Sequence, residues 1–241
     1  MDPFLPEPPP ADADTVFERI WDIRDDIVRQ VWGGFDAVYV HRDAHQAVHG
    51  YVYVSEIPPA DPAQPGATWT YVTGGLALPW TADLADVNPE DYSATRAEVT
   101  PEQLAAAAVF GIQLSGHGFE LVVHTLRQAP WAVSLLHNLG SYVLQTGDAF
   151  TYGQRVPLEG AISLDRDSDL RVLIFVPPAD RSPLFKLPTG FAQWLVVVGI
   201  TPDEWEYAQR EGSAALIAAL QQAGVGDVTD PGRGSIFAGP E

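Results

Sequence analysis

The 241-residue chain contains no cysteine. That excludes disulfides, thiolate zinc sites and cysteine nucleophiles, and it fits a protein of the reducing cytoplasm. Lysine is nearly absent: Lys186 is the only one, and every other base is arginine. Against 13 bases stand 32 acids, a formal net charge of -19. Such a surface repels nucleic-acid phosphates and anionic membranes, so neither is expected as a partner. It attracts a basic partner, and it also serves solubility. No apolar run approaches the ~20 residues of a membrane span; Trp194 to Val198 is short and β-branched, as a buried strand would be. The N-terminal MDPFLPEPPPADAD has neither a basic nor an apolar leader region, so no signal peptide is expected. G-x-S-x-G, G-x-G-x-x-G and G-x-x-x-x-G-K-[ST] are all missing, which leaves serine-hydrolase and nucleotide-binding folds without a foothold.

Hydrophobic residues make up 46% of the sequence, enough for a sizeable core. Residues 1–13 read as a flexible, proline-rich acidic tail, and residues 14–241 as one domain without internal repeats. Thr15 with Glu18 forms a capping box. Phe17, Ile20, Ile27, Val28 and Val31 follow at helical spacing, and Gly33-Gly34 ends the helix. Strands are expected at Ala37–His41, Gly50–Val54 and Thr68–Thr73, with a loop from Ile57 to Gly66. Thr100-Pro101-Glu102-Gln103 predicts a helix start. A strand from Phe119 to Leu126 leads to Pro130-Trp131, which opens a helix from Ala132 to about Gln145, with Gly147 as its C′ residue. Leu170–Val176 and Ala192–Ile200 are further strands. Thr201-Pro202-Asp203-Glu204 starts the last helical region, which Gly212 interrupts. Strands and helices alternate without a βαβ rhythm, so the expected class is α+β, a mixed or antiparallel sheet packed with helices.

Four stretches carry residue types that could do chemistry. In SGHGFEL, Ser115 to Leu121, two glycines flank His117 and Glu120 enters an apolar run. Alternation puts Glu120, Val122 and His124 on one face and Phe119, Leu121 and Val123 on the other. Glu120 and His124 then stand ~13 Å apart, too far for a direct hydrogen bond. The glycines read as a turn at a strand start, and Glu120, a carboxylate inside a core strand, needs a partner. His41, His45 and His49 would share one helical face, as a zinc site wants, but the surrounding sequence reads as strand and loop. Gly140-Ser141 sits inside a predicted helix. Asp165, Asp167 and Asp169 resemble the start of a calcium loop whose sixth and twelfth positions, Leu170 and Val176, lack the required glycine and glutamate. No cofactor is expected.

A series of segments resembles the suppressor of fused domain. IVRQVWGGFDAVYVHRD (27–43) is similar to the family's helix, double glycine and first strand. WTYVTGGL (69–76) resembles its W-x-Y-(V/I)-(S/T)-x-G-L. SGHGFEL resembles its SGFGFEL, with His117 in place of the usual aromatic. APWAVSLLHNLGSYVLQTGDAFTYG (129–153), LPTGFAQWLVVVGIT (187–201) and DPGRGSIF (230–237) follow in the family's order. The likeness runs over about residues 20 to 237.

The resemblance implies a suppressor-of-fused-like N-terminal domain fold and a noncatalytic, protein-binding role. In that family SGxGFEL is a structural signature. The animal member is a two-domain clamp that sequesters transcription factors by adding a peptide as a strand. This chain matches its N-terminal half, so that partner does not carry over. Freestanding bacterial members are proposed to be immunity proteins, which implies a cytoplasmic protein that neutralises a toxin, here a basic toxin domain, by stoichiometric binding. The partner-binding surface is expected among the motif residues Trp69, Tyr71, Glu120 and Trp131. Two other readings stay open: a metal-dependent hydrolase using His41, His45 and His49, and an acidic mimic of nucleic acid. The oligomeric state is not legible in the sequence.

Overall fold

The computed structural model describes residues 11–40, 52–78, 114–163 and 168–238. The histidine segment from His41 to His49, the helix start at Thr100, the Pro-rich residues 1–10, and Asp165 and Asp167 lie outside them.

Helix α1 spans Ala11–Val31. It begins a turn before Thr15, so Thr15 lies within the helix and not at the cap that the sequence suggests. Strands β1 (Ala37–Val40), β2 (Tyr53–Ile57), β3 (Trp69–Gly74) and β4 (Leu114–Thr125) follow. Helix α2 (Pro130–Thr146) ends at Gly147, whose φ of 75° and N–H bond to the Val143 carbonyl close it. Then come β5 (Arg155–Pro157), β6 (Val172–Val176), β7 (Leu184–Leu187), β8 (Gly190–Ile200), α3 (Pro202–Glu211) and α4 (Ser213–Gln222). The Thr201 N–H donates to the Glu204 carboxylate at 3.0 Å at the head of α3, and Gly212, with φ 91°, separates α3 from α4.

The strands form one sheet of eight in the order β1-β2-β3-β4-β8-β6-β5, with β7 also on β8. Among the described residues β4 and β8 are the parallel pair and all other pairs are antiparallel. This is the mixed α+β sheet that the sequence predicts. Both faces are covered. Ile20, Ile23 and Val28 of α1, with Ala208, Leu216 and Leu220 of α3 and α4, pack on Val122, Trp194, Val196 and Val198. Ala132, Leu136, Leu139 and Val143 of α2 pack on Phe119, Leu121, Val123, Leu195 and Val197. The run WLVVV is therefore apolar at every position, because each residue meets one of two cores.

Two strands differ from expectation. β2 lies at Tyr53–Ile57, three residues later than the YVYV alternation predicts, and all five residues are buried. β4 begins at Leu114, so SGHG belongs to the strand and is not a turn before it. Its register against β8 shifts between Leu114 and Phe119, with Gly116 at φ 56° and Gly118 at φ 81°. A Cβ on Gly116 would lie 2.6 Å from the carbonyl oxygens of Leu76 and Leu78. The His117 N–H donates to the Leu76 carbonyl at 2.7 Å. The stretch is a bulge pressed on a neighbouring backbone.

The C-terminal segment is clipped to the sheet and to α3. The Thr229 N–H donates to the His124 carbonyl at 2.8 Å, and the Gly199 N–H donates to Thr229 Oγ1 at 3.0 Å. Arg233 grips the buried Glu204 with both terminal nitrogens, at 2.6 and 2.8 Å. Glu204 also accepts the Ile236 N–H at 3.0 Å. The DPGRGSIF motif is thus a latch whose anchor is the α3 capping glutamate.

Two outcomes are expected in urea denaturation. Gly116→Ala combines backbone strain with a close approach to carbonyls and costs at least about 2 kcal/mol, whereas His117→Phe changes stability by less than about 1 kcal/mol. Arg233→Met leaves the Glu204 carboxylate buried without its cation and costs about 3–5 kcal/mol. The double variant Arg233→Met with Glu204→Gln recovers more than half of that loss.

Candidate functional site

The motif residues fall into an internal network and an open groove. Glu120 is fully buried at the centre of β4. Its carboxylate accepts Thr73 Oγ1 at 2.6 Å and the N–H groups of Gly75 and Ala77 at 3.1 and 3.0 Å. Burial pushes its pKa above the usual carboxylate range, opposed by the Arg24 charge and by these three bonds. Arg24, buried on α1, donates to the Thr73 carbonyl, to Tyr53 Oη at 2.8 Å and to Asp25 at 2.7 Å. The partner that Glu120 requires is therefore a turn after β3 and a helix from the chain's start. Glu120 reaches no surface.

Tyr71 is also fully buried. Its hydroxyl accepts the Ala129 N–H at 2.6 Å, which fixes the head of α2, and burial pushes the phenol up to about 12. Trp69 and Trp131 are half-buried, with one side packed on the α2-side core. Of the four residues singled out in the sequence, these two have surface to offer.

Trp131 lines an open groove of about 280 Å³ that runs from Thr125 to Trp131 and is closed by Ser163, Thr229, Asp230 and Pro231. Trp69 pairs in register with Thr125 at its edge. Leu126, 48% exposed, stands on the rim. Three separate motifs, the end of the SGHGFEL strand, the APW helix start and DPGRGSIF, meet here. Leu126 carries no distinguishing signal in the sequence, and Pro231 belongs to a motif without being marked as surface; only the meeting of the motifs places them here.

Behind the groove wall lies His124. Its Nδ1 is 2.9 Å from Thr70 Oγ1, its Nε2 is 4.0 Å from Asp227, and its ring lies 5.1 Å from that of Trp32. Burial pushes it down to about 4; the Asp227 charge opposes this and the Arg181 charge adds to it. Glu120 and His124 share a face but keep separate partners. Among the described residues no group of three histidine and acidic side chains is placed to hold a metal.

The depressed pKa sets an acid sensitivity. Between about pH 6.5 and pH 4 the unfolded chain takes up a proton on His124 that the folded chain refuses, so stability falls as pH falls through that window, by at most roughly 3 kcal/mol. Urea midpoints measured from pH 7.5 to 4.5 for wild type and His124→Gln should converge toward the acid end, because the variant lacks this slope.

The comparisons with known proteins agree with the fold. The family model for suppressor of fused protein (SUFU) matches residues 46–234. No curated protein sequence matches the chain. Several solved structures, among them these three, share the fold. One is from the Sufu–Fu complex, with 20% identity, TM-score 0.59, and coverage of 96% of this chain and 94% of that one. The second is Drosophila Suppressor of Fused, with 21% identity and TM-score 0.59; 98% of this chain matches 54% of that longer one. The third is a SUFU homolog from Neisseria gonorrhoeae, with 14% identity, TM-score 0.59, and coverage of 94% and 100%. The matching family model covers most of the chain's length, and the chain belongs to the suppressor of fused (SUFU) family.

Proposed function

We propose that this chain is a noncatalytic protein-binding domain, formed by residues 14–241, and that it acts in the cytoplasm as an immunity protein that blocks a basic toxin domain by stoichiometric binding. The observation that carries this reading is the groove at the end of β4. An open cleft of about 280 Å³ with a half-exposed tryptophan inside and a leucine on its rim has the anatomy of an interface hot spot, where aromatic anchors supply most of the binding energy. A relative of the same fold was crystallised in a complex with Fu, which supports a binding role for such domains. The net charge of -19 supports a basic partner, because complementary charge speeds encounter and fixes orientation. No helix among the described residues is long and apolar enough to cross a membrane.

The test is a tagged pull-down from the native cells, washed at low and then high salt, with retained proteins identified by mass spectrometry. One stoichiometric partner should survive high salt, and Leu126→Asp and Trp131→Ala should each weaken it by about 100-fold or more. Expressed alone, the partner should arrest growth, and co-expression of this chain should restore it. An empty bait overturns the binding reading. A harmless partner removes the immunity reading, and a partner lost entirely at high salt points to charge mimicry in place of a groove-centred interface.

A further inference from the structure

Three buried glutamates are held in three different ways. Glu204 has the Arg233 fork. Glu120 has two backbone N–H groups, a threonine hydroxyl and the nearby Arg24. Glu56 has neither arrangement. It is 4% exposed, and its two hydrogen bonds come from neutral side chains: Gln128 Nε2 to Oε1 at 2.8 Å and the Tyr39 hydroxyl to Oε2 at 3.4 Å. No cation pairs with it among the described residues. A carboxylate removed from water normally gains a cation or several strong donors. The Tyr39 bond is also long for O–H···O, where 2.5–3.0 Å is usual.

Glu56 lies beside β1, the strand that ends the sheet among the described residues. It pairs in register with Ala37 of β1, and Tyr39 pairs with Val54 two residues away on the same face. Val38, Tyr39 and Val40 are 46%, 39% and 54% exposed. Sheet edges of folded proteins usually carry a lysine, a proline or another charge that discourages added strands; Ala-Val-Tyr-Val carries none.

We propose that Glu56 is the anchor for an arginine or lysine side chain on an extended segment of a protein partner laid along β1. This deepens the proposed function and rests on it for the basic character of the partner. The incoming cation takes the place of the Tyr39 hydroxyl, while Gln128 keeps its bond to the other oxygen. The apolar side chains of the segment cover Val38 and Val40. The Tyr39 carbonyl is already held by His137 Nε2 at 3.1 Å, so the cation, more than the strand ladder, selects the partner. The acidic surface of the chain, at -19, favours that charge and disfavours a second copy of this chain at the same edge.

The probe is a capped hexapeptide, Thr-Val-Arg-Val-Thr-Val, compared with its twin carrying glutamine for arginine, by amide NMR titration of the full chain. The arginine peptide should shift the resonances of residues 37–40 and 56 and bind at least about tenfold more tightly than the twin. Glu56→Gln should erase that preference without lowering the unfolding midpoint. Asp26→Asn, which removes one exposed charge elsewhere, should leave the preference intact. Equal binding of the two peptides, shifts confined to other surfaces, or no binding at all overturns the proposal. So does a native partner that binds Glu56→Gln as tightly as wild type; the binding-domain reading survives that result, and it falls instead with an empty pull-down. If Glu56→Gln fails to fold, the two-peptide comparison on the wild-type chain decides alone.

Discussion

The carboxylate of Glu120 sits where β3 ends and β4 passes the middle of the sheet, and it gathers three donors from the end of β3 and the turn that follows. The N–H groups of Gly75 and Ala77 belong to a turn that has left the ladder. Thr73 Oγ1 gives its proton to Glu120 and receives the Leu121 N–H at 2.8 Å. The Thr73 carbonyl then receives Arg24, which draws α1 onto the sheet. One anion thus organises a turn, two strands and a helix. Buried between two apolar layers, none of these groups has water as an alternative, so the arrangement is all-or-none. This accounts for the glutamate in SGHGFEL without assigning it chemistry.

The sequence made the need for such a partner legible but not its identity. A glutamate between phenylalanine and leucine announces a buried charge; backbone N–H groups some 45 residues earlier leave no mark in residue types. The same limit explains SGHG. Two glycines around a histidine carry the same local preference in a turn and in a bulge, and only the carbonyls of Leu76 and Leu78 at Gly116 decide between them. Elements with strong local signals were legible: Pro130 and Gly147 bracket α2, and Thr201 and Gly212 bracket α3. The short strands β5 and β7 were not, because three or four residues, one run ending in a proline and the other flanked by two, give no period to read. Of the four motif residues, Trp69 and Trp131 keep some exposed surface, while Tyr71 holds the head of α2 from within and Glu120 the turn after β3. Glu56 carried no signal at all, since its lack of a paired cation among the described residues is a fact of three dimensions.

The groove and the latch share one segment. Asp230 and Pro231 wall the groove, and Arg233, two residues on, fixes that wall to the head of α3. Three of the motifs that resemble the family, the SGHGFEL strand, the APW helix start and DPGRGSIF, are therefore parts of a single assembly. Their order along the chain follows from a fold in which the last segment closes over the fourth strand.

β8 pairs with β4, β6 and β7 and is the strand that joins the two halves of the sheet. It is also the last strand of the chain, beginning at Gly190, long after β4 ends at Thr125. A ribosome making this protein adds ~5–20 residues each second. For several seconds, then, the first four strands exist beside a bare β4 edge, with the amides of Phe119 to Val122 facing water and other nascent chains. Synthesis therefore leaves an apolar interior edge unguarded until β8 is made, and whatever shields β4 during that interval acts before the sheet is joined.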